Sequence, residues 1–207
     1  MPSPWVDGGA YKGEFIQDCH TLFPDKEIIA FEPIPHRARK LAKNYGAGPG
    51  KLTVHARVLG ASKKNIKFHI RKGNPFSSVL PHTPLLRSIH GSRIQIEETI
   101  RVSQVRVDEI LHTPPGVVKL DVQGSEKEAL KGCTTFLQQI QGIVIELSQQ
   151  ERYKGQARAD EIEAWLLSQG FLCHDKIVHT PQGHEENRVW DAFFINIKFL
   201  KGLHGQK

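Results

Sequence analysis

The sequence of 207 residues contains little cysteine and no long apolar run. Its three cysteines, Cys19, Cys133 and Cys173, lie far apart and form no CxxC pair. This odd number argues against a disulfide framework or a zinc knuckle and favours a reducing compartment. No stretch approaches the roughly 20 consecutive apolar residues of a membrane-spanning helix. The N-terminal residues lack the basic and apolar regions of a signal peptide. We therefore expect a cytoplasmic protein without a membrane span.

The chain is moderately basic, but its positive charge is not concentrated in one stripe. The formal net charge is +6 at pH 7, and basic residues cluster only locally, at 36–40, 63–64 and 71–72. A nucleic-acid-binding protein usually has a longer basic stretch with interleaved aromatic residues. We interpret the charge mainly as a solvated surface, so nucleic acid is not the favoured partner, while an anionic substrate or RNA stays open.

Apolar β-rich runs alternate with amphipathic helical segments along the chain. This alternation predicts a Rossmann-like, doubly wound α/β domain with a mainly parallel sheet and a C-terminal antiparallel hairpin. We expect one domain over residues 1–207, in which 73–91 is an irregular excursion. The predicted strands lie at 4–7, 27–31, 52–59, 65–70, 99–105, 116–120, 142–146, 171–173 and 189–197. The predicted helical segments lie at 11–22, 35–44, 107–111, 125–137 and 160–169.

Acidic residues follow several of the predicted strands directly. Asp7 precedes a glycine-rich turn after the first strand, and Glu32 with Pro33 follows the second. Asp121 ends the fourth core strand, and Glu146 ends the fifth. Ligands of doubly wound sheets bind beyond the carboxyl ends of the strands, so we expect a ligand site at this edge.

The sequence of the glycine-rich turn distinguishes between two classes of cofactor. Its spacing, Gly8-Gly9-x-x-x-Gly13, does not match the G-x-G-x-x-G fingerprint of dinucleotide-binding proteins. A carboxylate at Asp7 would repel a pyrophosphate and would attract a cation that carries an ammonium and a sulfonium. S-adenosylmethionine is such a cation, and Glu32 is placed to accept hydrogen bonds from both ribose hydroxyls. The residues therefore favour this cofactor over NAD.

Four stretches of the sequence resemble motifs of the FkbM-type methyltransferases. Residues 7–15, DGGAYKGEF, are similar to the family's D-V-G-A-N-x-G-x-F, and residues 30–33, AFEP, match its A-F-E-P. Residues 119–132, KLDVQGSEKEALKG, resemble its K-I-D-V-E-G-A-E-x-x-V-L-K-G, and SSVL at 77–80 resembles its Ser-Ser-Leu stretch. The resemblance implies a class I methyltransferase fold and an S-adenosylmethionine-dependent methyltransferase. The implied reaction is O-methylation of a hydroxyl on a small molecule or glycan.

The resemblance also implies roles for individual residues. Asp121 is the candidate catalytic residue that faces the methyl group or the acceptor hydroxyl, and backbone from Ala56 to Leu59, which includes Val58, should edge the adenine. Segment 73–91 and the closing hairpin should wall the acceptor pocket. The candidate cofactor-binding residues are Asp7, Gly8, Gly9, Ala10, Tyr11, Gly13, Phe15, Glu32, Pro33, Val58 and Asp121.

Some of these acidic residues also have structural interpretations. Asp7 could cap the helix that follows it, and Asp121 could orient its loop through backbone N–H groups. Glu126 could be an acid that the helix dipole favours in a first turn.

The sequence departs from the family pattern at four positions: Gly8 replaces a valine, Tyr11 an asparagine, Gln123 a glutamate and Ser125 an alanine. The change at Tyr11 could alter how the methionine end of the cofactor is held. Gln123 removes a charge that a metal-dependent variant would use, so we expect no metal site. Only six residues precede Asp7, fewer than in most family members, so we expect a catalytic core.

Two other functions and several properties stay open at this point. One alternative is an RNA-directed methyltransferase on the same fold, which would bind RNA with a steep salt dependence. The other is a catalytically inactive module that binds the nucleoside or serves as an interaction surface. The identity of the methyl acceptor and the oligomeric state are not determined by the sequence.

Overall fold

The computed structural model describes residues 3–72, 75–179 and 185–203. Within these ranges, seven strands form one sheet and three strands form a second, smaller sheet. In chain order the strands are β1 (Trp5–Gly8), β2 (Ile28–Phe31), β3 (Leu52–His55), β4 (Val58–Leu59), β5 (Lys64–Arg71), β6 (Ile96–Val105), β7 (Val117–Leu120), β8 (Gly142–Ser148), β9 (Phe171–Val178) and β10 (Val189–Asn196). The large sheet has the order β3-β2-β1-β7-β8-β10-β9, and the small one β4-β6-β5.

The large sheet is parallel over its first five strands and antiparallel at its C-terminal end. β1 pairs in parallel with both β2 and β7, while β10 runs antiparallel to β8 and β9. This arrangement confirms the predicted mainly parallel sheet with a closing antiparallel hairpin. The chain winds outward from β1 in two directions, so the carboxyl ends of β1 and β7 form a switch point where doubly wound folds bind ligands.

Helices cover the large sheet and connect its strands. They are α1 (Glu14–Leu22), α2 (Pro35–Tyr45), α3 (Pro84–His90), α4 (Val107–Ile110), α5 (Glu126–Lys131), α6 (Ala159–Ser168) and α7 (Ile197–Leu203), with 3-10 helices at Gly91–Ile94, Leu137–Gln139 and Glu185–Asn187. Proline begins α2 and α3, where its fixed φ suits a first turn and its missing N–H costs nothing. None of the helices described is long and apolar enough to cross a membrane.

The principal core lies between the large sheet and the helices that follow β7 and β8. Val118 and Ile143 are completely buried in adjacent strands, and Leu130 and Leu166 cover them from α5 and α6. Burying side chains of this size stabilises the fold by about 1.5–3 kcal/mol each. This packing fixes the carboxyl end of β7, from which the candidate residue Asp121 projects.

The structure differs from the sequence prediction at several places, including a β9 that extends to Val178 and a helix that begins at Ile197. The run 52–59 forms two strands in different sheets, because the chain turns after His55 and Val58 pairs with Gln104 of β6. The first helix begins at Glu14, since Gly13 has a φ of 92°, and the helix expected over 125–137 ends at Lys131. Segment 73–91 contains α3, while Gly73 and Asn74 lie outside the described residues.

Candidate active site

A cleft opens at the carboxyl edge of the large sheet, between the ends of β1, β2 and β7 and the small sheet. Residues 75, 77 and 79 also line it, whereas no described residue of β9 or β10 does. The described part of segment 73–91 therefore borders the cleft, and the described strands of the closing hairpin do not. Six of the candidate cofactor-binding residues line this cleft: Gly9, Tyr11, Glu32, Pro33, Val58 and Asp121.

Glu32 at the end of β2 is a buried carboxylate with a defined orientation. Its Oε1 accepts a hydrogen bond from the Ile34 N–H at 2.9 Å, and its Oε2 accepts one from the Tyr11 N–H at 3.1 Å. Burial raises the pKa of Glu32 against the lowering effect of these bonds. Each carboxylate oxygen has a second lone pair, so Glu32 retains acceptor capacity for two hydroxyl groups in the cleft.

The glycine turn passes very close to the loop that follows β7. Gly9 and Ala10 donate their backbone N–H groups to the carbonyl of Phe31, at 3.0 and 3.1 Å. Gly9 has a φ of +83°, and a Cβ at this position would lie 1.9 Å from the carbonyl oxygen of Asp121. Only glycine combines this left-handed conformation with so close an approach. The turn therefore brings backbone to the floor of the cleft.

Asp7 lies beneath the cleft and does not line it. Its carboxylate is completely buried and forms an ion pair with Lys119 Nζ at 3.1 Å. Burial raises the pKa of Asp7, and Lys119 opposes that rise. Lys119 Nζ also donates to the carbonyl of Gly9 at 3.2 Å. The pair thus anchors the glycine turn to β7, and no side chain caps α1, which begins after Gly13.

The other candidate residues also support the turn from below. A Cβ at Gly8 would lie 2.9 Å from the side chains of Leu120 and Leu59, and one at Gly13 would lie 2.6 Å from the ring of Tyr45. Ala10 is buried beside α1. The ring of Phe15 packs 6.4 Å from that of Trp5, measured between centroids. These four residues shape the turn without reaching the cleft.

Tyr11 and Gln123 are the non-glycine residues with positive φ in the described part of the chain, at 48° and 54°. Such a conformation is unusual for residues other than glycine, asparagine and aspartate, and it clusters at functional sites. Both residues line the cleft. The ring of Tyr11 lies 5.2 Å from Lys12 Nζ and 5.2 Å from the guanidinium carbon of Arg37.

Gln123 connects Asp121 to Glu146, which the sequence places at the same edge, and to Tyr153, which sequence reasoning missed. Its Nε2 donates to Asp121 Oδ1 at 2.7 Å and to Glu146 Oε2 at 3.1 Å. Its Oε1 accepts a hydrogen bond from the Tyr153 hydroxyl at 2.7 Å. We call these four residues the Gln123 network. The sequence carried no signal for Tyr153, because this contact spans 30 positions of the chain.

Glu146 is a carboxyl group of this edge whose pKa is raised by its surroundings. Burial raises its pKa well above the ordinary value, and the nearby carboxylates of Asp121 and Glu126 raise it further, while Arg152 lowers it. Glu126 accepts hydrogen bonds from the N–H groups of Val122 and Gly124, both at 3.1 Å. It therefore orders the loop after β7 in addition to standing in the first turn of α5.

The wall of the cleft on the side of the small sheet is held by buried polar contacts. Ser78 Oγ donates to the carbonyl of Gln123 at 2.7 Å, which joins the segment after β5 to the loop after β7. Arg71, which is completely buried, donates to the carbonyls of Phe76 and Leu80 at 2.7 and 2.8 Å. These bonds fix residues 76–80 against the cleft.

Metal ligands are not grouped in the described part of the chain: no cluster of three or more His, Cys, Asp or Glu side chains there could hold an ion. The expectation of a metal-free site stays a prediction.

The sheet order, the switch-point cleft and the C-terminal antiparallel strands define a class I methyltransferase fold. Residues 7–173 match the methyltransferase FkbM domain. The chain therefore belongs to the FkbM methyltransferase family, as its motifs predict.

Three relatives illustrate the similarity. The hexuronic acid methyltransferase AglP of Haloferax volcanii is 27% identical over 145 residues, which cover 68% of this chain and 54% of that protein. The crystal structure of an FkbM methyltransferase from Methylobacillus flagellatus has a TM-score of 0.56 at 18% identity, covering 92% of this chain and 43% of that one. Magnesium protoporphyrin IX methyltransferase (ChlM) from Synechocystis, with bound SAM, has a TM-score of 0.52 at 10% identity, covering 94% and 70%. The chain thus spans about half the length of the first two.

Proposed function

We propose that this chain is an S-adenosylmethionine-dependent O-methyltransferase whose acceptor is a hydroxyl group of a small molecule or glycan. The observation that carries the proposal is the position of Glu32 and Asp121 in one cleft, on either side of the Gly9 turn. The SAM-bound structural relative and the family assignment support the cofactor. A cytoplasmic location is part of the proposal and rests on the sequence argument.

The residues of the cleft fit the cofactor. Glu32 has a fixed carboxylate with free lone pairs for the two ribose hydroxyls, and Pro33 and Val58 offer apolar surface beside it. The close approach of Gly9 to the Asp121 carbonyl leaves backbone without side chains at the floor of the cleft. Asp7, Gly8, Ala10, Gly13 and Phe15 contribute by holding this turn.

Methyl transfer requires alignment and removal of one proton. When bound, the cofactor supplies an electrophilic methyl group on a sulfonium. Asp121 projects into the cleft and takes the proton of the acceptor hydroxyl, so that the electron pair of that O–H bond is free to form the new O–C bond. The bound cofactor would supply the leaving group as well, because its sulfur would keep the C–S electron pair as a neutral thioether. The remaining contribution of the chain is orientation, through Glu32 and the Gly9 turn.

A sugar-like acceptor is the preferred substrate class. The lining of the cleft also includes the apolar residues Phe68 and Val79 together with Ser77, a mixture suited to the faces and hydroxyls of a small polar molecule. AglP, a relative at 27% identity, is a hexuronic acid methyltransferase by name, which supports a glycan within this class.

Titration calorimetry with S-adenosylmethionine and S-adenosylhomocysteine tests the cofactor. We expect micromolar binding by the wild type and at least a tenfold loss in Glu32→Ala. Glu27→Ala is the matched control, because Glu27 precedes the same strand but pairs with Lys51 at the opposite edge of the sheet. At a hundredfold excess over Kd, either ligand should stabilise the wild type by about 2.7 kcal/mol. If the wild-type protein is folded but binds neither ligand, the proposal is contradicted. The remaining alternative is then a catalytically inactive module.

RNA is the second candidate acceptor, and one observation favours it. Helix α2 has basic residues and no acid between His36 and Lys43, and it borders the cleft through Arg37. An RNA substrate would bind with an affinity that falls steeply with salt concentration. If the protein does not bind structured RNA at 50 mM salt, or binds it with an affinity that does not depend on salt, RNA is excluded. The acceptor is then a glycan or a small molecule.

A further inference from the structure

Gln123 occupies a position where its side chain can act on two carboxylates at once. The residue lines the cleft, and its single Nε2 lies 2.7 Å from Asp121 Oδ1 and 3.1 Å from Glu146 Oε2. The two carboxylate oxygens therefore lie within about 6 Å of each other, a separation at which like charges repel appreciably inside a protein. One amide NH₂ group donates a separate N–H to each of them.

The orientation of this amide is fixed from the opposite side. The Tyr153 hydroxyl donates to Gln123 Oε1 at 2.7 Å, and Tyr153 is almost completely buried, with its ring against Gly124. A reversed amide would set Oε1 against two carboxylate oxygens and would lose the bond from Tyr153. The backbone is held too, because Ser78 Oγ donates to the Gln123 carbonyl.

We propose that Gln123 is a positioning residue: held by Tyr153, its amide fixes the direction of Asp121 and joins Asp121 to Glu146 as one unit. The role of Asp121 as the base rests on the proposed function, whereas the coupling of the two carboxyl groups is a property of the folded chain. A glutamate at 123 would add a third negative charge to this unit and could not donate when ionised. Glutamine instead satisfies both carboxylates without charge.

Glu146 completes the unit as a carboxyl group that retains its proton to higher pH than usual. Burial raises its pKa well above the ordinary value, and Asp121 adds to the rise. The ionisable groups that face Glu146 are Asp121 and Lys119 of the β7 end, Glu126 of α5, Arg152 and Tyr153 after β8, and Asp191 of β10.

Carbon-13 NMR of the side-chain carboxyl groups tests the proposal without an acceptor. The Glu146 signal, assigned by its loss in Glu146→Gln, is followed from pH 5 to pH 9 in the wild type and in Gln123→Met. Methionine has a similar length but no donor. We expect the titration midpoint of Glu146 to rise by about one pH unit in this variant, because its ionised form loses a hydrogen bond.

Two further variants separate donation from packing. Tyr153→Phe leaves the Gln123 amide in place but removes the hydrogen bond to its Oε1, so the titration midpoint of Glu146 should rise by less than in Gln123→Met. The same variant tests the proposal if Gln123→Met does not fold. Gln139→Met replaces an exposed glutamine of a 3-10 helix and should leave the midpoint unchanged. A folded Gln123→Met or Tyr153→Phe with the wild-type midpoint overturns the proposal. Calorimetry with S-adenosylmethionine on the same samples shows separately whether the proposed function fails.

Discussion

At the scale of single residues, Asp7 and Lys119 bind each other where little water reaches them. The side chain of Asp7 is 0% exposed and that of Lys119 is 17% exposed. Burial disfavours the charge of Lys119, but the carboxylates of Asp7 and Asp121 outweigh it and raise its pKa. Since Lys119 also donates to the Gly9 carbonyl, one ion pair links the stability of β1 to the geometry of the glycine turn.

Lys119→Met should lower the free energy of unfolding by about 3 kcal/mol, because it leaves the Asp7 carboxylate buried without a counter-charge. Urea unfolding measures this change. Lys51→Met removes the partner of Glu27 in an exposed pair and should cost less than about 1 kcal/mol. Equal effects of the two substitutions would show that Asp7 is neutral in the folded protein and that the pair has no electrostatic role.

At the scale of elements, the contact between the β1–α1 turn and the β7 loop depends on Gly9. Gly9→Ala should cost about 3 kcal/mol in unfolding free energy, from the strained φ and from the clash with the Asp121 carbonyl. Gly155→Ala is the matched control, because Gly155 has a φ of +82° but no atom within 4 Å of its Cβ position. It should cost only about 1 kcal/mol. Similar losses in both variants would contradict the close approach.

The sequence predicted those elements whose signals are local. The end of β2 before Glu32 and the start of α2 at Pro35 follow from an apolar run and a proline, and both are confirmed. The division of 52–59 was missed, because Val58 and Leu59 continue an apolar run and their pairing with β6 is 46 positions away. For the same reason the contacts of Gln123 with Glu146 and Tyr153 had no sequence signal.

The segment after β5 depends on Arg71, whose guanidinium holds the carbonyls of Phe76 and Leu80. Arg71→Met should make the backbone amides of 76–80 exchange hydrogen about tenfold faster or more, because two hydrogen bonds of about 1 kcal/mol each are lost. Hydrogen exchange with mass spectrometry measures the rate. Arg101→Met alters an exposed arginine of β6 and should leave these amides protected. Unchanged exchange in Arg71→Met would show that the β5–β6 pairing alone orders the segment.

At the scale of the whole molecule, the edge of the sheet that forms the cleft also carries its perturbed carboxyl groups. Burial raises the pKa of Glu32, Glu126 and Glu146, all at or near the ends of parallel strands. Active sites concentrate such groups because catalysis needs charge in a dry environment. Ionisation of these groups therefore lowers the free energy of unfolding. The edge of the sheet that we propose for the chemistry thus also destabilises the folded protein.

Glu126 makes this consequence measurable. Burial raises the pKa of Glu126 to about 7 from an ordinary value of 4.5. Below pH 4.5 its carboxyl group is therefore protonated in both the folded and the unfolded state, and its contribution to stability is complete. As the pH rises from 4.5 to 7, the unfolded chain releases this proton and the folded protein keeps it, so the free energy of unfolding falls, by about 3 kcal/mol at pH 8. In Glu126→Gln no proton is lost, while the amide oxygen can still accept from Val122 and Gly124.

The difference in unfolding free energy between wild type and Glu126→Gln should therefore shift by about 3 kcal/mol in favour of the variant between pH 5 and pH 8. Urea unfolding at intervals of half a pH unit measures the difference, in which the other ionisable groups largely cancel. Glu128→Gln changes an exposed acid of the same helix and should give a difference that is nearly flat with pH. A flat difference for Glu126→Gln would mean that Glu126 ionises freely in the folded state, and the loop after β7 would then have to admit water to its carboxylate.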